Sequence, residues 1–254
     1  ESLSLMRNLC LLVLLGLLSG CEPVQLPADV RMPDGAVYDG DTEDNLFHGQ
    51  GSLTWPDGRH YEGEFQEGLM TGEGRLEGRD GCVQEGHFVN GVLNGEGSYT
   101  CPDASYQGQF TNGELTKGSV AYLDDNSYQG EFRDFQPHGQ GLWVTASAEQ
   151  FEGTFAEGYM VKGTYRNEEG YHYQGEFDFF TFEGKGELTR PDGVVIRATF
   201  ENGHAEGPGT RTRPRDEGEP VVEKGFFVRG DYYPSEKAWR QRKQQQAAAM
   251  EARL

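Results

Sequence analysis

The sequence predicts an all-β protein: β-hairpins stacked side by side, followed by a C-terminal α-helix. Three observations predict it. A Tyr-x-Gly-x-Phe pattern returns every 22 or 23 residues. Glycine is abundant, at 37 residues, and aromatic residues make up 12% of the chain, a composition that suits short strands and tight turns. Only the last stretch, after Pro234, lacks glycine and concentrates Ala, Gln, Lys and Arg, which favour helix.

The first element is an address. Arg7 precedes an apolar run from Leu9 to Leu18, about half of the ~20 residues that a bilayer span requires, and small residues follow. That is the pattern of a signal peptide, assigned to residues 1–20. Leu18-Ser19-Gly20-Cys21 resembles the lipobox of bacterial lipoproteins. The resemblance implies cleavage before Cys21 and acylation of that residue, so the membrane is a partner through a lipid anchor. Glu22 in place of Asp leans the expected location towards the outer membrane, facing the periplasm or the cell surface. Residues 21–35 carry three prolines and no periodicity, and read as a tether.

The repeat fills residues 36–233. Aligned on the glycine of Tyr-x-Gly, its anchors are Gly40, Gly63, Gly86, Gly108, Gly130, Gly153 and Gly175, with Ala198 in the eighth slot. Tyr stands two residues before the anchor in five units; Gln84, Phe151 and Ile196 stand there in the others. Phe stands two residues after it in every unit but the first, where Thr42 does. Side chains alternate along a strand, so Tyr61, Gly63 and Phe65 share one face, and the glycine leaves a gap that a neighbouring ring or backbone can enter. A later Gly-x-Gly, such as Gly72/Gly74, opens the returning strand. Units four and six keep only Gly118 and Gly163, which predicts a hairpin loop one residue shorter. Turns such as Trp55-Pro56-Asp57-Gly58 join one unit to the next, with Pro fixing φ, Asp capping its own backbone and Gly taking positive φ. One hairpin alone is marginal, so neighbours must bury the aromatic face together.

The pattern YxGxFxxGxxxGxG, complete in residues 61–74, is similar to the MORN repeat. The resemblance covers eight units from residue 36 to about 210, and Gly225–Gly230 reads as a terminal half-unit. It implies an elongated, twisted, single antiparallel sheet, and a role in scaffolding, dimerisation or membrane contact rather than catalysis. Residues 234–254 form the last element: Pro234, an N-cap at Ser235, then a capping helix with Trp239, Ala247, Met250 and Leu254 roughly on one face.

Composition and motifs then narrow the function. A formal charge of −20 repels nucleic acid and anionic headgroups. The glycines of residues 68–74 resemble a phosphate loop, yet they lead into another strand and do so repeatedly along the chain, with Glu73 and Glu96 where a phosphate would approach, so no nucleotide or other cofactor is expected. The six histidines form no short-spaced metal pair, and no catalytic constellation rises above the repeat. Pairing the third hairpin so that Gln84 opposes Tyr99 and Phe88 opposes Gly95 puts Cys82 opposite Cys101, a cross-strand disulfide in an exported protein. The hairpin loops are apolar at Leu46-Phe47, Leu69-Met70, Val92-Leu93, Tyr159-Met160-Val161 and Phe179-Phe180-Thr-Phe182. They form either a lateral core or a contact edge for a protein partner or lipid. The leading expectation is a membrane-anchored scaffold presenting its sheet to an unidentified protein. Direct lipid contact through the loops is the alternative, and binding of cell-wall carbohydrate a third reading.

Overall fold

The structure, a computed structural model, describes residues 30–251. The signal peptide and Cys21 lie outside the described residues. Nineteen strands form one sheet. A two-residue strand, β1 (Val30–Arg31), pairs with the front of the first unit, so the segment read as a tether already joins the sheet at Val30.

Nine hairpins follow in chain order. They are β2 (Val37–Glu43) with β3 (Leu46–Thr54), β4 (His60–Gln66) with β5 (Leu69–Glu77), and β6 (Val83–Val89) with β7 (Val92–Thr100). Next come β8 (Ala104–Thr111) with β9 (Glu114–Tyr122), β10 (Ser127–Arg133) with β11 (Gln136–Val144), and β12 (Gln150–Ala156) with β13 (Tyr159–Arg166). Last are β14 (His172–Asp178) with β15 (Thr181–Thr189), β16 (Val195–Glu201) with β17 (His204–Arg213), and β18 (Val221–Val228) with β19 (Asp231–Tyr233). Each strand pairs antiparallel with its neighbours in sequence, leaving the sheet open among the described residues.

The anchors form a continuous row. Gly51 lies between Gly40 and Gly63, Gly74 between Gly63 and Gly86, and glycine continues to face glycine across the strands to Gly186, which faces Ala198. Beside this row one face carries the aromatic side chains and the other is polar. Among the described residues no second layer covers the aromatic face, yet Tyr38, Tyr61, Tyr128 and Tyr173 are wholly or almost wholly buried. They achieve this by lying down on the glycines. The Tyr61 hydroxyl crosses the row and donates to the carbonyls of Glu64 and Thr71, at 3.1 and 3.3 Å. Tyr128 and Tyr173 make the same pair of bonds in their own hairpins. The Tyr61, Tyr128 and Tyr173 rings each also meet two phenylalanines edge-on: Tyr61 touches Phe65 of its own hairpin and Phe88 of the next, with centroids 5.2 and 5.3 Å apart. Such contacts pass the core from unit to unit.

The carbonyls that receive the tyrosines belong to a β-bulge. In the third hairpin Gln84 does oppose Tyr99, but past Gly86 the register shifts and Phe88 opposes Leu93, not Gly95. The two glycines of Gly-x-Gly therefore have separate tasks. Gly74 stands in the row beneath Tyr61; Gly72 bends the bulge at φ +57°, a conformation that other side chains rarely adopt. The carboxylate of Glu64 caps that bend by accepting from the Glu73 N–H, as Glu131 does from Gln140. In units four and six the missing residue comes out of this bulge, not out of the loop, because both hairpins keep the two-residue turn of the others.

Burial, and then the nearby carboxylates Glu64 and Glu131, push the Tyr61 and Tyr128 hydroxyls up to about 12; Tyr173 is raised for the same reasons. Unfolded tyrosine titrates near 10, so between about 10 and 12 the unfolded chain releases protons that the folded chain holds. Stability is complete below that window and falls as pH rises through it. Tyrosinate absorbance and far-ultraviolet dichroism should change together there; tyrosines titrating at their ordinary pH in a folded sheet would refute the assigned bridges.

The helix α1 (Glu236–Glu251) closes the far end against β18 and β19. The Trp239 indole stacks on Phe226 and donates its N–H to the Phe227 carbonyl at 3.0 Å.

Candidate functional site

Each hairpin ends in two residues with positive φ, the turn that matches the right-handed twist of paired strands. Its second residue is glycine in six hairpins. The Gly68 N–H donates to the Phe47 carbonyl, and Gly91 to Met70, and each of the six glycine-bearing loops bonds in this way to the hairpin before it. Asn45 replaces that glycine in the first hairpin, Phe135 in the fifth and Phe180 in the seventh.

Phe135 and Phe180 hold φ of +58° and +62°, where a bulky residue costs about 1 kcal/mol. Both rings fold back over the preceding hairpins. Phe135 packs against Tyr99 and Tyr106, each 5.4 Å away. Phe180 packs against Trp143 at 5.3 Å and Phe151 at 5.1 Å. Beside Phe180 the packing leaves an open aromatic cleft of about 510 Å³, lined by Trp143, Phe151, Tyr165, Phe180, Phe182 and the carboxylate Glu149.

The turn after β11 places Glu149. Thr145 and Glu149 close it with two bonds, the Thr145 N–H to the Glu149 carbonyl and the Glu149 N–H to the Thr145 hydroxyl. The Tyr165 hydroxyl then donates to Glu149 Oε1 at 2.6 Å. Burial, with this bond and the Glu149 charge, pushes Tyr165 up to about 12, so it remains a donor through the neutral range. A fixed negative charge thus stands in a wall of rings.

The loop residues divide by position. In each apolar pair the first residue is exposed and the second turns inward across the hairpin. Leu69, Val92 and Tyr159 are 50, 41 and 45% exposed. Leu93 and Met160, expected as contact residues, are buried opposite Phe88 and Phe155 and offer no contact surface. Met70, Phe180 and Phe182 are half-buried against the core; Phe182 stacks on Tyr173 at 4.0 Å. Lateral core and exposed edge therefore coexist, alternating along the strand. Phe179, on the same loop edge, is more exposed than these, at 65%, and packs 4.4 Å from Tyr159.

Cys82 and Cys101 form a disulfide across the base of the third hairpin, with Cα atoms 4.2 Å apart. On the polar face an open groove of about 600 Å³ runs over Gly63, Gly74, Gly86 and Gly97, bordered by Glu62, Glu73, Glu85 and Glu96. Residues 61–74 are strand, turn and strand, with no helix N-terminus to receive a phosphate. Among the described residues no three His, Cys, Asp or Glu are placed to hold a metal, and no helix is long and apolar enough to cross a membrane.

Comparison with known proteins gives the family. The MORN repeat matches residues 38–58, 61–83, 85–105, 128–147, 173–195 and 198–215. No curated protein matches the chain. Solved structures that it resembles include the TCP10 domain of Danio rerio CPAP in complex with a peptide of Danio rerio STIL. That likeness has 12% identity over 78% of this chain and 82% of that one, and a TM-score of 0.36. The same domain by itself gives 9% identity, the same coverage and a TM-score of 0.32. The SAS-4 (dCPAP) TCP domain of Drosophila melanogaster, in complex with a Proline Rich Motif of Ana2, gives 12% over 84 and 97% with a TM-score of 0.25. Nothing about this chain's partners follows from likenesses so low. The six matched segments coincide with hairpins one, two, three, five, seven and eight, whose strands pair in one open antiparallel sheet; the chain is a MORN-repeat protein.

Proposed function

We propose that this MORN-repeat sheet is a protein-binding scaffold, held at a bacterial envelope membrane by a lipid on Cys21. The observation that carries the reading is the exposed aromatic pair Tyr159–Phe179, which continues into the cleft beside Phe180. Contiguous exposed apolar surface of this kind marks a contact site. Leu46, Leu69 and Val92 extend the same edge along the first three hairpins. The lipobox-like Leu18–Cys21 supports the anchor, and the excess of acidic residues opposes direct adhesion to anionic lipid.

A photo-crosslinking residue at Phe179 should capture a discrete protein in the native cell. The same probe at Leu123, exposed but outside this edge, should not. Tyr159→Ser with Phe179→Ser should reduce capture through a probe at Val161 about tenfold while changing stability by less than about 1 kcal/mol. Equal labelling at both probe positions would sink the scaffold reading. Flotation of unlipidated protein with liposomes would favour lipid contact instead. Cys21→Ser should move the protein from the membrane to the soluble fraction, and persistence at the membrane would refute the anchor.

A further inference from the structure

We infer that the cleft beside Phe180 receives an arginine side chain from the protein partner, its guanidinium stacked on the Trp143 and Phe180 rings and paired with the Glu149 carboxylate. The inference rests on the protein-binding reading and names the chemistry recognised.

The lining itself selects a cation. It contains five aromatic rings, one carboxylate and no basic side chain. An aliphatic occupant would satisfy the rings but strip water from Glu149 without replacing it, which is costly. A cation satisfies both, because ring faces attract positive charge and the carboxylate accepts its hydrogen bonds. Glu149 has capacity to spare. Oε1 takes the Tyr165 hydroxyl, and Oε2 receives only the exposed Ser147 hydroxyl at 3.3 Å. A carboxylate accepts about four hydrogen bonds, enough for a two-pronged guanidinium as well.

The same arrangement already occurs twice within the chain with arginine as the guest. Arg211 lies 4.0 Å over the Tyr232 ring while Glu223 takes its guanidinium at 2.8 Å. Arg59 lies 4.7 Å over Trp55 and pairs with Asp57 at 3.0 Å. The cleft offers the same two groups, aromatic ring and acid. Arg211 is also the counterpart of Trp143, each being the second residue after the glycine-row residue of its returning strand. The planar guanidinium fits between rings and presents paired donors, which a lysine ammonium does not. The strained φ of Phe180 adds a second sign of a binding site, since seven of the nine hairpins avoid a bulky residue there.

The test uses the intact chain and a five-residue peptide, Gly-Gly-Arg-Gly-Gly, blocked at both ends. Its reporter is the indole N–H resonance of Trp143. The arginine peptide should shift that resonance saturably, and the citrulline peptide, neutral but of the same shape, should bind at least tenfold more weakly. Glu149→Gln, which keeps an acceptor for Tyr165, should weaken the arginine peptide about tenfold. The comparison of peptides on the unaltered protein needs no variant to fold. No shift with the arginine peptide, equal shifts with citrulline, or equal affinity for a lysine peptide would each overturn the inference. If crosslinking from Phe179 persists in those cases, the scaffold reading stands without it; if that crosslinking is absent too, both fall.

Discussion

Gly74→Ala should cost the sheet about 3 kcal/mol in chemical denaturation, whereas Gly97→Ala should cost about 1. The two glycines occupy the same place in neighbouring hairpins and neither needs positive φ. What differs is the covering. A Cβ at Gly74 would stand 2.6 Å from Cζ of Tyr61, within the ring that bridges the hairpin. Relief would require lifting the ring, breaking its bonds to Glu64 and Thr71 and opening its contacts with Phe65 and Phe88. At Gly97 the added carbon meets the Glu85 carbonyl at 3.0 Å and a Leu93 methyl at 3.2 Å, because Gln84 stands where the tyrosine would be. The Leu93 methyl can yield by a few tenths of an ångström, which leaves the strand carbonyl as the remaining tight contact. Equal losses would mean that the tyrosine bridge contributes nothing beyond its area.

Removing the disulfide by Cys82→Ser and Cys101→Ser should lower stability by about 3 kcal/mol, the chain-entropy value for a closed loop of roughly twenty residues. The loss should be local at first. The bridge clamps the third hairpin, which carries Gln84 and so lacks the tyrosine that ties the second and fifth hairpins across their bulges. Amide exchange should accelerate in β6 and β7 before the seventh hairpin responds. Mapping that finds both cysteines as free thiols in the native protein would remove the premise.

Much of this was legible because the repeat states each position several times. Tyr61, Gly63 and Phe65 identify a face, a gap and a hairpin, and seven further units, three of them carrying all three residues, exclude coincidence. The bulge was not legible. Period two assumes that the pairing continues past Gly86, and a straight continuation places Gly95 against Phe88; only the positive φ of the first glycine in Gly-x-Gly reveals the extra residues. Reading loop residues as pairs also hid their alternation, so buried Leu93 and Met160 were grouped with exposed Val92 and Tyr159. The cleft escaped for a different reason. Glu149 belongs to the connecting segment Thr145–Glu149, where the repeat has no template, and a spatial partner such as Tyr165 cannot be read from spacing. A signal did exist in Phe180. Where Gly68, Gly91, Gly158 and Gly203 hold the corresponding turn position, a phenylalanine departs from a backbone requirement, and a departure of that kind marks specialisation.

The variable bulge has a consequence for how such a chain can change length. Side chains on a strand have parity, so an array mixing units of 22 and 23 residues should turn some of its aromatic faces to the wrong side. It does not, because the fourth and sixth hairpins surrender their odd residue at the bulge, between the glycine row and the turn, and the third unit drops its own from the connecting turn Cys101–Asp103, both places where pairing is already interrupted. The bulge works as a phase corrector: a deletion is absorbed within one hairpin, and the next strand starts in step. Insertions and deletions at this point should be tolerated anywhere along the array, while the same change made between anchor glycine and phenylalanine would invert everything downstream.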